Sequence, residues 1–417
     1  MISRLFSHTR QGRSGTAGMA VSGFKALATG CLILAFLMAG CTSAPKRELS
    51  TVSIPYAALP NGHDPLHPSE LLSRHTPDLK YVQTGVIPYY EQKRGHALNI
   101  LEISGGGQYG AFGAGFLKGW QETGTRPQFD IVTGVSAGAL MATQAFLGTP
   151  VDDKVLADIF TGVTKDDIYH RKNILRILFG GNSLLDTTPL MKLLEKVITP
   201  EVLERVAAAY DDNRRLWVGT TNMDYNETWA WNMTQIAKEN RPGAIELYRK
   251  VLLASASMPV AFPPVEIEGH LFADGGVRSN VLVIGLVGAE PPGPPLYGPG
   301  TVYVIHNEPR SDTPSAVEND VHGITGAAFY DMMSASVGSV LLRSYFGAKS
   351  HGYNFKLVDI ADDVPIGDNP LAFDPEQMQA AFEAGLALGR QADPWEAAPP
   401  NLGDYPEWGL KMIFENK

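Results

Sequence analysis

The chain has 417 residues, with 34 Lys+Arg against 44 Asp+Glu and a formal net charge of −10. At 44% apolar and 19% charged residues it has ordinary globular composition, which excludes disorder, collagen and coiled coil, and its acidity argues against nucleic acid as a bulk electrostatic partner. No uninterrupted apolar run reaches about 20 residues, so a multi-span membrane protein is excluded, and the length suits one large domain or two modest ones.

Residues 1–40 carry Arg4, Arg10, Arg13 and Lys25 and no acidic residue, and end in the uncharged run Ala26–Gly40. That run is short for a membrane span and suits the apolar core of a signal peptide. It closes on Met38-Ala39-Gly40-Cys41, which resembles the lipobox of bacterial lipoproteins, with Met38 standing where Leu is usual. The resemblance implies a lipoprotein signal peptide over 1–40 and lipidation of Cys41. It also implies a membrane anchor and, because Thr42 rather than Asp follows the cysteine, an outer-membrane location in a bacterial cell envelope. The remaining cysteine, Cys31, falls inside the signal, so the processed chain has no disulfide partner for Cys41 and no cysteine metal site. Residues 41–96 read as a lipid-anchored tether and N-terminal extension, rich in Pro, Ser and His over 42–75.

From residue 97 the pattern is strand–loop–helix. Leu98–Ile103 is a strand, followed by a glycine-rich stretch and a helix face of Phe112, Phe116 and Trp120. Phe129–Thr133 is a second strand and Ala137–Leu147 a small-residue helix. Further strands are predicted at Leu216–Thr220, Thr228–Met233, Val265–Phe272 and Thr301–His306. Helices are predicted near 188–198, 200–210, 243–256 and 325–347. A last helix begins at Asp374, with Pro375 at its first position and Gln377 completing a capping box. The alternation predicts an α/β fold with a mostly parallel central sheet. The Pro/Gly-rich stretch 285–300 is irregular.

Three motifs carry chemistry. Gly134-Val135-Ser136-Ala137-Gly138 is G-x-S-x-G between a strand and a helix, the context of a nucleophile elbow. Gly105-Gly106-Gly107-Gln108-Tyr109-Gly110 follows the first strand and offers backbone N–H groups to an oxyanion. It also matches the dinucleotide fingerprint G-x-G-x-x-G, but Asp130 stands at the start of the second strand rather than its end, against that reading. The third is Asp274-Gly275-Gly276 at a strand end, downstream of Ala254-Ser-Ala-Ser-Met-Pro-Val-Ala-Phe-Pro-Pro264. A serine nucleophile needs a base. Asp274 is the candidate, and of ten histidines His306 is the rival. Metal-ligand spacings are missing from the sequence, and neither a metal nor a cofactor is expected. Asn226 and Asn232 match the glycosylation triplet by coincidence, and Tyr225, Trp229 and Trp231 alternate as a packed strand does.

In this order the three motifs resemble the patatin-like phospholipase family over about 97–280, with Ser183–Leu190 and Thr220–Asp224 similar to its connecting segments. The resemblance implies a three-layer α/β/α fold and a catalytic domain over 97–417 that ends in a C-terminal helical extension. It implies a Ser–Asp dyad of Ser136 as nucleophile and Asp274 as base, and an oxyanion hole from Gly105, Gly106 and Gly107. Gly110, Gly134, Gly138, Gly275 and Gly276 support the motifs. The family often has Arg or Lys where this chain has Tyr109, which bears on headgroup preference. The implied reaction is cleavage of phospholipid or lysophospholipid esters through an acyl-enzyme, with 285–300 as a lid or acyl-chain wall. An acyltransferase acting on lipid alcohols and a non-catalytic envelope lipoprotein are the alternatives. An Asp near its ordinary pKa is a poor base for an alcohol, so the site is expected to be partly desolvated.

Overall fold

The computed structural model describes residues 47–48, 50, 57–58, 86–172, 182–283, 295–309, 319, 337–400 and 402. Cys41, the segment 1–40, most of the tether, residues 285–294 of the Pro/Gly-rich stretch and the first part of the predicted 325–347 helix lie outside the described residues. By internal contacts the chain divides into two units, residues 1–48 with 173–181 and residues 49–172 with 182–417, and the second unit holds every element named below.

The strands of its main sheet are β1 (Ala57–Ala58), β2 (Asn99–Ile103), β3 (Ile131–Val135), β4 (Arg215–Asn222), β5 (Glu227–Asn232), β6 (Val265–Ile267), β7 (His270–Asp274), β8 (Thr301–Pro309) and β9 (Asn354–Ile360). They form one sheet in the order β1-β5-β4-β3-β2-β8-β9, with β7 paired to β4 and β6 to β7. The pairings β3–β4, β2–β3, β2–β8 and β8–β9 are parallel. Helices cover both faces: α1 (Val86–Arg94), α2 (Gly110–Glu122), α3 (Ala137–Leu147), α4 (Pro150–Gly162), α5 (Thr188–Val197), α6 (Pro200–Asp211), α7 (Met233–Glu239), α8 (Ala244–Ser255) and α9 (Pro375–Gly389). This is the three-layer α/β/α arrangement.

Strand alternation splits β2 between two cores. Leu101 and Ile103 join a cluster with Phe112 and Phe116 of α2, Met141 of α3 and Phe382 of α9. Ile100 joins the opposite cluster, with Val302 and Val304 of β8, Tyr90 of α1 and Val340 and Leu341 of the helical stretch 337–350. The predicted aromatic face of α2 is buried, with Phe116 and Trp120 ring centroids 5.8 Å apart. Helices α2 and α9 cross backbone to backbone: a Cβ on Gly385 would stand 2.0 Å from the carbonyl oxygen of Phe112, so this crossing requires glycine.

The structure departs from the sequence reading in several places. Val265–Phe272 is not one strand but a hairpin, turning at Glu268 and Gly269, both at positive φ (51° and 80°) as a tight two-residue turn demands. The edge strand β9 and the helix α4 were not predicted, although α4 has a legible start in the Thr149/Asp152 capping box and Pro150. Within the N-terminal extension residues 86–94 form a helix that was not predicted, and Tyr90 and Glu91 are buried. The predicted capping box of α9 is half formed: Asp374 accepts from the Gln377 amide at 3.1 Å, but the Asp374 N–H donates to Gln108 Oε1 at 2.8 Å. Gln377 is drawn away by the same residue, its Oε1 accepting from Gln108 Nε2 at 2.7 Å. No helix among the described residues is long and apolar enough to cross a membrane.

Glu102 on β2 points into the second core. It is fully buried, its Oε2 accepts from Ser344 Oγ at 2.6 Å, and its Oε1 has no hydrogen-bond partner among the described residues. Burial pushes its pKa up to about 8, so the folded protein holds it as a neutral acid at pH 7. The folded value lies above the ordinary 4.5, so this group's contribution to stability is complete below pH 4.5 and is lost as pH rises towards 8. Glu102→Gln keeps an acceptor for Ser344 and removes that loss. Thermal melts are expected to show a gain of several degrees at pH 8.5, on the order of 3 kcal/mol, and almost none at pH 4. Equal shifts at both pH values would contradict the assignment.

Candidate active site

Ser136 is the first residue after β3 and caps α3. Its backbone is at φ 54°, ψ −124°, a region a residue with a Cβ adopts only when its surroundings enforce it. Those surroundings are hydrogen bonds on both sides. The Ser136 amide donates to Ser255 Oγ at 3.0 Å, and that hydroxyl donates to the Gly219 carbonyl at 2.7 Å. The Ser136 carbonyl accepts from Ala139 and Leu140 at 2.9 and 3.1 Å, starting the helix. The glycines of the motif let backbones touch: a Cβ on Gly138 would stand 2.4 Å from the Ile103 carbonyl oxygen, and one on Gly134 would stand 2.6 Å from that of Gly138. The elbow is thereby pressed onto the end of β2, where the glycine loop begins.

Asp274 ends β7, in register with Thr220 of β4. Its amide donates to the Ser257 carbonyl at 2.9 Å and its carbonyl accepts from Thr221 Oγ1 at 2.9 Å, which fixes the strand end. The side chain is buried. Its Oδ1 accepts from the Gly276 N–H at 2.7 Å. Burial pushes its pKa up to about 7, with the Ser136 hydroxyl and the bond from Gly276 pulling the other way. Gly275 packs under the strand end, where a Cβ would stand 2.6 Å from the Gly219 carbonyl oxygen.

The glycine loop reaches the same point. A Cβ on Gly105 would lie 2.9 Å from the Ser136 Cβ, and one on Gly110 would lie 3.0 Å from the Ala137 Cβ. The three glycines are not equivalent donors. The Gly105 N–H is shared between the carbonyl of Asn280 at 3.1 Å and its Oδ1 at 3.0 Å, which corrects the expectation that all three amides face an oxyanion. Among the described residues the amides of Gly106 and Gly107 have no hydrogen-bond acceptor. Gly106, at φ 142°, crosses the Asn307 carbonyl oxygen so closely that a Cβ would sit 2.1 Å from it. Gly106, Gly107 and Ser136 are partly solvent-accessible whereas Gly105 and Asp274 are buried, so the first three residues line the mouth of the site. A carboxyl whose pKa is pushed to about 7 near a hydroxyl, beside amides that have no acceptor among the described residues and at a helix N-terminus, can deprotonate an alcohol and stabilise an oxyanion.

The remaining candidates lie elsewhere. His306 Nε2 is 3.6 Å from Glu308 Oε2 and has no hydrogen-bond partner among the described residues. Tyr109 is buried, its hydroxyl donating to the Gly367 carbonyl at 2.7 Å, so it presents nothing to the mouth. Trp229 and Trp231 are core residues. Asn232 is buried and caps α7, accepting from the Gln235 amide at 3.0 Å, and is closed to any modification. Among the described residues no group of His, Cys, Asp and Glu could hold a metal ion. Sequence reasoning missed the parts played by Ser255 and Asn280. Ser255 stood within a motif that it had singled out; Asn280 gave no local signal.

Comparison with known proteins matches the segment that contains Ser136, Asp274 and the glycine loop. Residues 101–287 match the Patatin-like phospholipase family model. That segment runs from β2 through the glycine loop and the elbow to beyond Asp274, and the match supports a lipid acyl hydrolase in general terms. An uncharacterized protein of Acanthamoeba polyphaga mimivirus is 25% identical over 301 residues, covering 70% of this chain and 92% of that protein. The crystal structure of VipD from Legionella pneumophila aligns with a TM-score of 0.38 at 16% identity, covering 70% of this chain and 66% of that one.

Proposed function

We propose that the chain is a serine acyl hydrolase that cleaves phospholipid or lysophospholipid carboxylic esters through a Ser136–Asp274 dyad, anchored through Cys41 at a bacterial outer membrane. The observation that carries the reading is a buried carboxyl at position 274 whose pKa burial pushes up to about 7, close enough to the Ser136 hydroxyl for that hydroxyl to pull the value back down. Asp274 takes the hydroxyl proton as Ser136 Oγ attacks the ester carbonyl carbon. The oxyanion forms beside the unpaired amides of Gly106 and Gly107 and the N-terminus of α3. On collapse the ester C–O bond breaks and Asp274 returns the proton to the departing alcohol. Water, deprotonated by the same carboxylate, attacks the acyl-enzyme, and the free fatty acid leaves as Ser136 recovers its proton.

Incubation with vesicles of phosphatidylcholine and phosphatidylglycerol tests this. Wild-type protein is expected to release fatty acid and lysophospholipid in equal amounts at early times, and Ser136→Ala to release neither. Added glycerol that diverts acyl groups into acylglycerol would indicate transfer in place of hydrolysis. No acyl release from any lipid or lysolipid would contradict the reading.

A further inference from the structure

Of the amides of Gly105, Gly106 and Gly107, the one that has acceptors among the described residues, that of Gly105, points to a residue outside the dyad. Asn280 lies six residues beyond Asp274 on the same arm, fully buried, and grips the Gly105 N–H with both its backbone carbonyl (3.1 Å) and its side-chain Oδ1 (3.0 Å). Its Nδ2 donates to Glu308 Oε1 at 2.7 Å, and Glu308 is itself buried near the end of β8. The neighbouring residue of β8 holds the other side of the loop. The Asn307 amide donates to Ser104 Oγ at 2.8 Å, its Nδ2 donates to the Ser104 carbonyl at 3.0 Å, and its Oδ1 accepts from the Gly113 amide at 3.0 Å.

We propose that Asn280, oriented by Glu308, is a positioning residue that fixes the peptide plane of Gly105 against Ser136 and so aims the unpaired amides of Gly106 and Gly107 at the reacting carbonyl. The inference rests on the hydrolase reading above. An amide side chain has a definite polarity: Oδ1 must face Gly105 and Nδ2 must face an acceptor. Glu308 supplies an acceptor that admits one orientation only. Without that partner the side chain can turn over and set an N–H against the Gly105 N–H, which pushes the loop away from the elbow. Oxyanion donors act at about 2.7–3.1 Å, and a displacement of ~1 Å costs ~10²-fold in rate. Because Asn280 and Asp274 share one short arm, base and oxyanion loop are held in register by the same segment.

The test uses hydrolysis of p-nitrophenyl butyrate, with rates expressed per fluorophosphonate-labelled site so that misfolded protein drops out. Asn280→Asp keeps the size and the acceptor for Gly105 but removes the donor to Glu308. It is expected to lower kcat by about 10²-fold with KM within about twofold. Adding Glu308→Gln restores one donor to one acceptor across the pair, and the double variant is expected to recover at least about tenfold of the loss. Should Asn280→Asp fail to fold, Glu308→Leu, which removes the acceptor that orients Nδ2, is expected to give the same selective fall in kcat. An unchanged kcat per labelled site in Asn280→Asp or Glu308→Leu, or a fall matched by an equal change in KM, would overturn the inference alone. Wild-type protein that takes no label and cleaves no ester would overturn the hydrolase reading and this inference with it.

Discussion

Ser136→Ala is expected to fold like the wild type and to lose ester turnover by on the order of 10⁶-fold, the scale at which a hydrolase loses its nucleophile. The substitution leaves in place the backbone bonds that hold the elbow, from the Ser136 amide to Ser255 and from Ala139 and Leu140 to the Ser136 carbonyl. It deletes the hydroxyl, one of the two groups that pull the Asp274 carboxyl's pKa down, so that pKa is expected to rise further. Assay of hydrolysis together with a thermal melt checks both parts. A folded Ser136→Ala variant within about tenfold of wild-type activity would mean that another group attacks the ester.

Asp274→Asn is expected to cost about 10⁴-fold in kcat, as loss of a buried carboxylate from a catalytic serine site does elsewhere. The amide can still accept from the Gly276 N–H, so the strand end should persist. Its stability should move the opposite way to its activity. The Asp274 carboxyl titrates near 7 in the folded protein and near 3.8 when unperturbed, so its contribution to stability is complete below about pH 3.8 and is lost as pH rises through 7. The asparagine variant is therefore expected to melt several degrees above wild type at pH 8 and close to it at pH 4. A melt gain that is the same at both pH values would show that the carboxylate is not held dry in the native protein. A site that is less stable than its neutral replacement is what a dedicated base in a water-poor pocket entails.

How far the sequence could be read depended on the range of the interactions. The elbow was legible because its signals are local: glycines two residues either side of Ser136, an apolar strand before and small residues after. Asp274 was legible because glycines follow it at a strand end. That β2, β3 and β4 run parallel was legible in the strand–helix alternation, though their order in the sheet was not. What escaped was set by contacts between distant segments. Asn280 meets Gly105 across 175 residues, and nothing near either position announces it. The capping box of α9 was read from local spacing, yet Gln108, 266 residues away from Asp374, took one half of it. The hairpin between β6 and β7 was hidden because Glu268-Gly269 interrupts the apolar pattern by only two residues, and its turn shows in the backbone angles rather than in the hydropathy. The edge strand β9 mixes Lys356 and Asp359 into its run, and its partner β8 supplies the pairing that its own sequence does not advertise.

Activation of Ser136 by a dry Asp274 is read out by the rate of Ser136 phosphonylation by a fluorophosphonate probe as a function of pH, with the modified residue located by mass spectrometry. The expected result is label on Ser136, a rate that climbs through a single ionisation near pH 7, and a slow, pH-independent rate in Asp274→Asn. Label on any other residue, or an acidic limb near 7 that survives unchanged in Asp274→Asn, would contradict it.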